Sequence, residues 1–529
     1  MSRITYYNGN FITLEKDMPR AEYLISEEGI ITEMGRGMPP LRSAEDKIVD
    51  LKGKTVVPGF TDSHLHMLTG ALTKLQIDLN GMRFENVSKM AEYVKNNAPG
   101  GNGWIRAFGF SEENLAEPKL PTMKELDEAI LDRPVIITRV CGHLSIINSA
   151  AMKLLSPEAV ETIEGGEFQK DSLGCYTGVV TETAQQYVLD SIPAPSEEEI
   201  FVKLREEQKS LLSKGICSIH DAGTDQLSPE EYKKIYKKFN DNGDLKLRTY
   251  LMLRPDDGGD FAEFAEDVKQ LKKEYPPEKS RLFFGAVKLF ADGSLGGKTA
   301  AVRKGYEGEA DNKGLLLDDR LRRYLPEINK AGLKIAVHAI GDRAVEYCLN
   351  LIEEGRENEA AHVKHRIEHA ELLGEDLIKR IKENDVFIAA QPGFIPEFGA
   401  TYRKVIGEEA EKIQPLKTML KEGIELGFGT DYPVIDANPL MGIAAAVERN
   451  VKNGEKPLCK REALEAEEAL KAYTMGSAAG SDTEHLQGSL KVGKFADFAV
   501  LEKEIYPASE VLATVIGGEL LYLQKGDLK

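Results

Sequence analysis

Several short apolar runs in this chain end in a residue able to bind a metal ion, and that recurrence restricts the fold more than any single motif. The first run, Val56-Val-Pro-Gly-Phe-Thr-Asp62, is closed by His64-Leu65-His66. Side chains alternate along a strand, so residues two apart face the same way and both imidazoles can reach one ion from one strand end. The later runs carry Lys288 in Gly285-Ala-Val-Lys-Leu-Phe-Ala-Asp292, His338 after Ile335-Ala-Val, His369 after Arg366-Ile-Glu, and Asp431 after Gly427-Phe-Gly-Thr. Gly, polar residues or turn signals follow each of them. Singly, each residue has an ordinary structural reading: a core histidine, a member of a surface patch, a salt-bridging lysine, a turn or N-cap aspartate before Tyr432-Pro433. Together they ask for a fold that gathers side chains from many strand ends. The (β/α)8 barrel does this, because its active site is built on the C-terminal face of the strands.

Size and charge narrow the class. A chain of 529 residues is enough for one large domain with additions, or for two or three domains. Asp plus Glu (87) exceeds Lys plus Arg (68), a net charge of −19 that argues against nucleic acid as a partner. No run approaches the ~18–20 apolar residues of a membrane span. The start, Met1-Ser-Arg-Ile-Thr-Tyr-Tyr7, carries no apolar signal segment, so a cytoplasmic location is expected. The cysteines (Cys141, Cys175, Cys217, Cys348 and Cys459) are scattered, which argues against a disulfide framework or a cysteine-based zinc site. The partner expected is a small-molecule substrate, with a homodimer as a possible assembly and no nucleic acid or membrane.

The chain order suggests three pieces. Residues 1–55 read as short strands, with hairpin turns at Asn8-Gly9 and Glu28-Gly29. Their missing partners lie at the other end, in Phe498–Leu501, Val511–Ile516 and Leu520–Leu523, with Gly517-Gly518 as a turn. Residues 1–55 and 484–529 are therefore assigned to one small β-sandwich. The barrel takes 56–69 and 211–483, with strands at 56–62, 216–221, 247–253, 285–290, 335–338, 365–369, 386–391 and 426–431. A ninth apolar run, 134–140, falls in a stretch too long for a βα connection. Residues 70–210 are read as an inserted subdomain after strand 1 that caps the barrel mouth. Helices are expected over Ser196–Leu212, with Ser196 as N-cap, Asp318–Ala331 and Asp342–Glu354.

The ordered set His-x-His, Lys, His, His, Asp resembles that of the amidohydrolase superfamily. Longer motifs are similar to its amidohydrolase-3 group, which includes the N-substituted formamide deformylases. They are Lys288-Leu-Phe-Ala-Asp-Gly-Ser-Leu-Gly-Gly-Lys-Thr-Ala300, Val337-His-Ala-Ile-Gly-Asp-Arg-Ala344, Arg366-Ile-Glu-His-Ala370, Gly142-His143 with Asn148-Ser149-Ala150, and Thr177-Gly178-Val179 with Glu182. The resemblance implies an α/β fold: a (β/α)8 TIM barrel with a small β-sandwich built from both chain ends and an insert after strand 1. It implies one or two divalent ions, zinc first and Ni, Mn or Fe as alternatives, held by His64, His66, Lys288, His338, His369 and Asp431. In the two-metal form Lys288 is carbamylated by CO2 and bridges the ions, since an ammonium has no lone pair to offer. A metal-bound hydroxide then attacks an amide, N-formyl or cyclic amide C–N bond, with Asp431 as general base and then acid.

His143, His220, Asp292 and Ser294 are candidate substrate-binding residues. His362 and His365 are expected to be structural, and His485 exposed. Two positions depart from the group's pattern: Lys298 stands where arginine is common, and Ile146, expected near substrate, where an aromatic is common. Two other functions are weighed. A mononuclear aminohydrolase that deaminates a heterocycle would carry a glutamate soon after His338 and no Lys288. A catalytically silent barrel scaffold would have lost metal ligands, and this chain keeps the set.

Overall fold

The structure, a computed structural model, describes residues 3–40, 47–101, 103–140, 143–256, 259–356, 363–507 and 509–524. The chain divides into two compact units, Met1–Gly70 with Leu204–Lys529, and Ala71–Lys203.

The larger unit holds a barrel of eight parallel strands. They are β1 (Phe60–Leu65), β2 (Ile216–Asp221), β3 (Arg248–Leu253), β4 (Leu282–Phe290), β5 (Lys334–Ala339), β6 (Arg366–His369), β7 (Phe387–Ala390) and β8 (Leu426–Phe428), each hydrogen-bonded to the next. Almost every residue in them is buried, as both faces of a parallel barrel sheet require. Helices return the chain between strands: Pro229–Asp241, Phe261–Glu274, Asp318–Ala331, Asp342–Arg356, Glu375–Glu383 and Leu416–Glu422. The helix entering β2, Glu197–Leu212, starts in a reciprocal cap. The Ser196 hydroxyl accepts from the Glu199 N–H, and the Glu199 carboxylate accepts from the Ser196 N–H.

Side-chain bonds rather than a full ladder join β8 to β1. The Asp62 carboxylate accepts from the Thr430 N–H and hydroxyl, and the Asp431 N–H donates to the His64 carbonyl at 2.7 Å. The backbones approach so closely that a Cβ on Gly429 would stand 2.5 Å from the His64 nitrogen. This seam fixes Asp431 beside the two histidines of β1.

The apolar run expected over 56–62 as one strand is two. Thr55–Pro58 pairs with Phe498–Leu501, and the barrel strand begins only at Phe60. Gly59 makes the transfer possible, because a Cβ there would lie 2.3 Å from the Cys217 sulfur. The Asn8-Gly9 hairpin is also corrected. The strand Ile4–Ile12 runs straight through, with a bulge between Tyr7 and Phe11. Asn8 takes a left-handed φ of 53° where the strand changes partner, from Lys47–Asp50 to Thr55–Pro58. Asn-Gly marks a partner switch here, not a turn. Glu28-Gly29 and Gly517-Gly518 do turn, all four residues with positive φ.

Both chain ends share one eight-stranded mixed sheet. Tyr6, Phe11, Leu24 and Val56 pack with Phe498, Val500 and Val515 in a common core. Arg248 at the start of β3 ties this sheet to the barrel through a buried pair with Asp497. The four cysteines among the described residues are free, and no described helix is long and apolar enough to cross a membrane.

The smaller unit is built on a six-stranded sheet, in the order Gly166–Lys170, Tyr176–Thr181, Leu144–Ile147, Val135–Arg139, Ile105–Phe110, Ile77–Asp78. Ile146 lies fully buried in its core, so the expectation that this position meets substrate is corrected.

Candidate metal centre at the barrel mouth

Strand alternation sends His64 and His66 to one side of β1, and Asp431 meets them from across the seam. The Asp431 carboxylate lies 3.1 Å from His66 Nε2 and 3.5 Å from His64 Nε2. One ligand atom from each of these residues falls within 4.8 Å of the others, so the three could hold a metal ion. Asp431 has φ +58° and His369 φ +73°, followed by Ala370 at +44°. Left-handed backbone at non-glycine residues costs roughly 1–2 kcal/mol each and persists where its surroundings enforce it. Here it turns His369 inward although its neighbour Glu368 also faces inward.

His369 and His338 complete a cluster of imidazoles. The His369 ring centre lies 4.8 Å from that of His64 and 4.5 Å from that of His338. Every ring commits one nitrogen to a protein acceptor. His64 Nδ1 donates to Glu368 at 2.5 Å, His66 Nδ1 to the Gly223 carbonyl at 2.7 Å, His369 Nδ1 to the Gln391 amide oxygen at 2.8 Å, and His338 Nε2 to the Gly293 carbonyl at 3.1 Å. A nitrogen that donates fixes the tautomer and leaves the opposite nitrogen with its lone pair, the form that coordinates metals. Burial, with Lys288 and neighbouring imidazoles adding charge, holds His64 and His369 well below the ordinary histidine value and His338 at about 4. His66 is the exception: burial would lower it, but the hydrogen bond and charge of Asp431 raise it. Asp431 is lowered in turn, the His66 bond and nearby cations overcoming its burial.

Lys288 stands inside the same charge field. Its amine is buried, and its Nζ has no hydrogen-bond partner among the described residues. Burial pulls its pKa down to about 8 against the pull of Glu368 and Asp431. Imidazoles, a carboxylate and an amine without a hydrogen-bond partner among the described residues form a donor set suited to a divalent ion. The structure thus brings His64, His66, His338, His369, Lys288 and Asp431 to one mouth.

Of the four residues expected to touch substrate, His220 and Asp292 are buried and Ser294 and His143 are exposed. His220 is completely buried, its Nδ1 accepting from Arg366 at 3.1 Å and its ring against Tyr250. Asp292 is a clamp: its carboxylate accepts from the N–H groups of Ala301, Ile340 and Gly341, joining the loops after β4 and β5. Burial raises its pKa to about 7. Ser294 is exposed, and its hydroxyl accepts from the Gly297 N–H within its own loop. His143 belongs to the smaller unit, where it is exposed and pairs with Glu182 at 3.2 Å. His365 is buried and accepts from the Ile335 N–H, His485 is exposed, and Lys298 pairs with Glu309. His362, Cys141 and Gly142 lie outside the described residues.

Sequence reading passed over the supports. Arg366 and Glu368 share the inner face of β6, and Arg366 donates to Glu368 at 2.6 and 2.9 Å behind His64. The Asp221 carboxylate accepts from the N–H groups of Met67, Leu68 and Gly223 and from the Tyr232 hydroxyl, fixing the loop whose carbonyl holds His66. Buried charged residues at strand positions 366 and 368 were the available signal, since an inward-facing ion needs a partner.

Comparison with known proteins gives the family. A family model described as the amidohydrolase family matches residues 47–522. The chain belongs to the amidohydrolase family. It is therefore an enzyme, and similar proteins span its whole length. YtcJ of Bacillus subtilis is 30% identical over 98% of this chain and 99% of its own. N-substituted formamide deformylase of Arthrobacter pascens is 26% identical over 99% of both. A crystal structure of an uncharacterized metal-dependent hydrolase from Pyrococcus furiosus superposes with a TM-score of 0.75 at 30% identity, covering 95% of this chain and 99% of that one.

Proposed function

We propose that this amidohydrolase cleaves amide-type C–N bonds, in N-formyl amines, simple amides or cyclic amides, at a centre held by His64, His66, His338, His369, Asp431 and a carbamylated Lys288. The observation that carries the reading is the tautomer pattern: four imidazoles each bonded outward through one nitrogen, around an amine with no hydrogen-bond partner among the described residues. A bound divalent ion, zinc first, would supply a Lewis acid and a water acidified to a pKa of about 7.

The chain's own groups do the rest. With a pKa near 8, roughly a tenth of Lys288 is neutral at pH 7. Its nitrogen lone pair can attack CO2, forming a carbamate N–C bond and releasing one proton. The product anion replaces a buried cation that has no hydrogen-bond partner among the described residues. Asp431, ionised because its pKa is lowered, accepts a proton from the attacking water and delivers it to the leaving nitrogen. Water and amide are converted to a carboxylate and an amine. Glu368 holds the His64 tautomer, and Arg366 holds Glu368. The deformylase named among the relatives supports N-formyl compounds as the first class to assay.

The test compares metal content and release of formate from N-formyl amines in wild type and His64→Ala. Loss of both supports the reading; unchanged metal content in the variant contradicts it. Ammonia release from purine or pyrimidine analogues, without amide cleavage, would favour the deaminase reading instead.

A further inference from the structure

A cavity lies within the unit of residues 71–203. Its volume is about 660 Å³, and Leu75, Tyr93, Trp104 and Ile192 supply apolar wall. That size falls in the usual range of small-molecule sites. Arg106 lines it too, two residues from Trp104 and so on the same face of the strand Ile105–Phe110. Arg106 Nε is buried with no hydrogen-bond partner among the described residues. Burial alone lowers the pKa of this guanidinium, and no carboxylate acts on it.

The remaining charges at the wall do not repair this. Lys74, Arg133 and Lys203 add positive charge, with Arg133 fixed by donating to the carbonyls of Gly103 and Pro99. The two acids present, Asp78 and Glu199, are engaged elsewhere. Asp78 accepts from the backbone and side-chain N–H groups of Asn80, and Glu199 from the N–H and hydroxyl of Ser196. A cationic cavity runs against a chain of net charge −19. A buried Nε–H without an acceptor is unfavourable, and the planar fork of a guanidinium matches a carboxylate.

We propose that this cavity binds a small organic carboxylate with an apolar or aromatic body, the carboxylate on Arg106 and the body against Trp104. The site stands independently of the hydrolytic reading. Trp104 is the chain's only tryptophan, so its emission reports on this cavity.

The full-length protein is titrated with benzoate, benzyl alcohol and inorganic phosphate while tryptophan emission is followed. The expected result is a saturable change with benzoate and none with benzyl alcohol. Arg106→Gln weakens benzoate binding roughly tenfold or more, with Arg106→Lys intermediate, as loss of a charge-assisted pair requires. Formate release by the same variants is unchanged. If Arg106→Gln fails to fold, Arg106→Lys and the benzoate-dependent rise in wild-type melting temperature carry the same comparison. Equal responses to benzoate and benzyl alcohol, a response to phosphate but not benzoate, no saturable response, or undiminished binding by the Arg106 variants would each overturn the proposal.

Discussion

Two cations are buried in the barrel, Lys288 on β4 and Arg366 on β6, and their surroundings are opposite. Arg366 is fully enclosed, and its guanidinium donates to Glu368, to the Ser63 and Gly480 carbonyls and to His220. Lys288 is as deeply enclosed, and its amine donates to nothing described. A saturated buried charge is scaffolding: it holds Glu368, which holds His64. An unsaturated one is unfavourable in the bare protein, and its position among four imidazoles says where the compensation comes from. The contrast separates the residues that build the site from those that the site's contents complete.

Lys288→Met attacks the unsaturated side, and the largest effect is expected there. Formate release should fall by about 10³-fold or more, because the proposed bridging carbamate could not form. The metal-free variant is at least as stable as wild type, since an uncompensated buried cation has been replaced by an apolar group of similar length. A stability loss like that of the arginine variant would erase the distinction.

Arg366→Met attacks the saturated side. Removing one partner of a buried ion pair strands the other, so denaturant titration should report a loss of about 3–5 kcal/mol. A loss below about 1 kcal/mol, the range of an exposed pair, would show that Arg366 is not the scaffold claimed.

The pH dependence sharpens the comparison. Lys288 titrates near 8 in the folded chain against an ordinary 10.5, so between those values the unfolded chain binds more protons. The penalty is complete below pH 8 and is relieved as pH rises toward 10.5. Metal-free wild type should therefore gain stability relative to Lys288→Met over that window, by up to about 3 kcal/mol. A flat difference would mean that the amine is already compensated.

A smaller effect is expected at the joint between the two cations. Glu368→Gln keeps the shape but removes the charge that orients His64, and metal affinity should fall about 10–100-fold as measured by competition with a chelator. Undiminished affinity would make the Glu368–His64 bond incidental.

The sequence made the barrel legible because its strands read as short apolar runs ended by chemistry, and the ligand order followed from those ends. It was less informative wherever a local signal served a distant partner. Asn8-Gly9 reads as a turn, yet its left-handed backbone lets one strand exchange neighbours. The run at 56–62 reads as one strand, but the barrel and the terminal sheet divide it at Gly59. The surroundings of the residues expected to contact substrate were illegible for a related reason. His220 and Asp292 sit at strand ends like the clustered ligands, but His220 Nδ1 accepts from Arg366 and the Asp292 carboxylate accepts from three backbone N–H groups. Which side of a strand end a polar group serves is decided by packing, and no spacing in the chain encodes it.

The most direct test is a crystal structure of zinc- and bicarbonate-loaded protein, with anomalous data collected at the zinc edge. The account predicts anomalous density about 2.0–2.2 Å from His64 Nε2, His66 Nε2 and an Asp431 oxygen, with electron density extending past Lys288 Nζ as a carbamate. An empty mouth, with Lys288 ending in a bare amine, would contradict it.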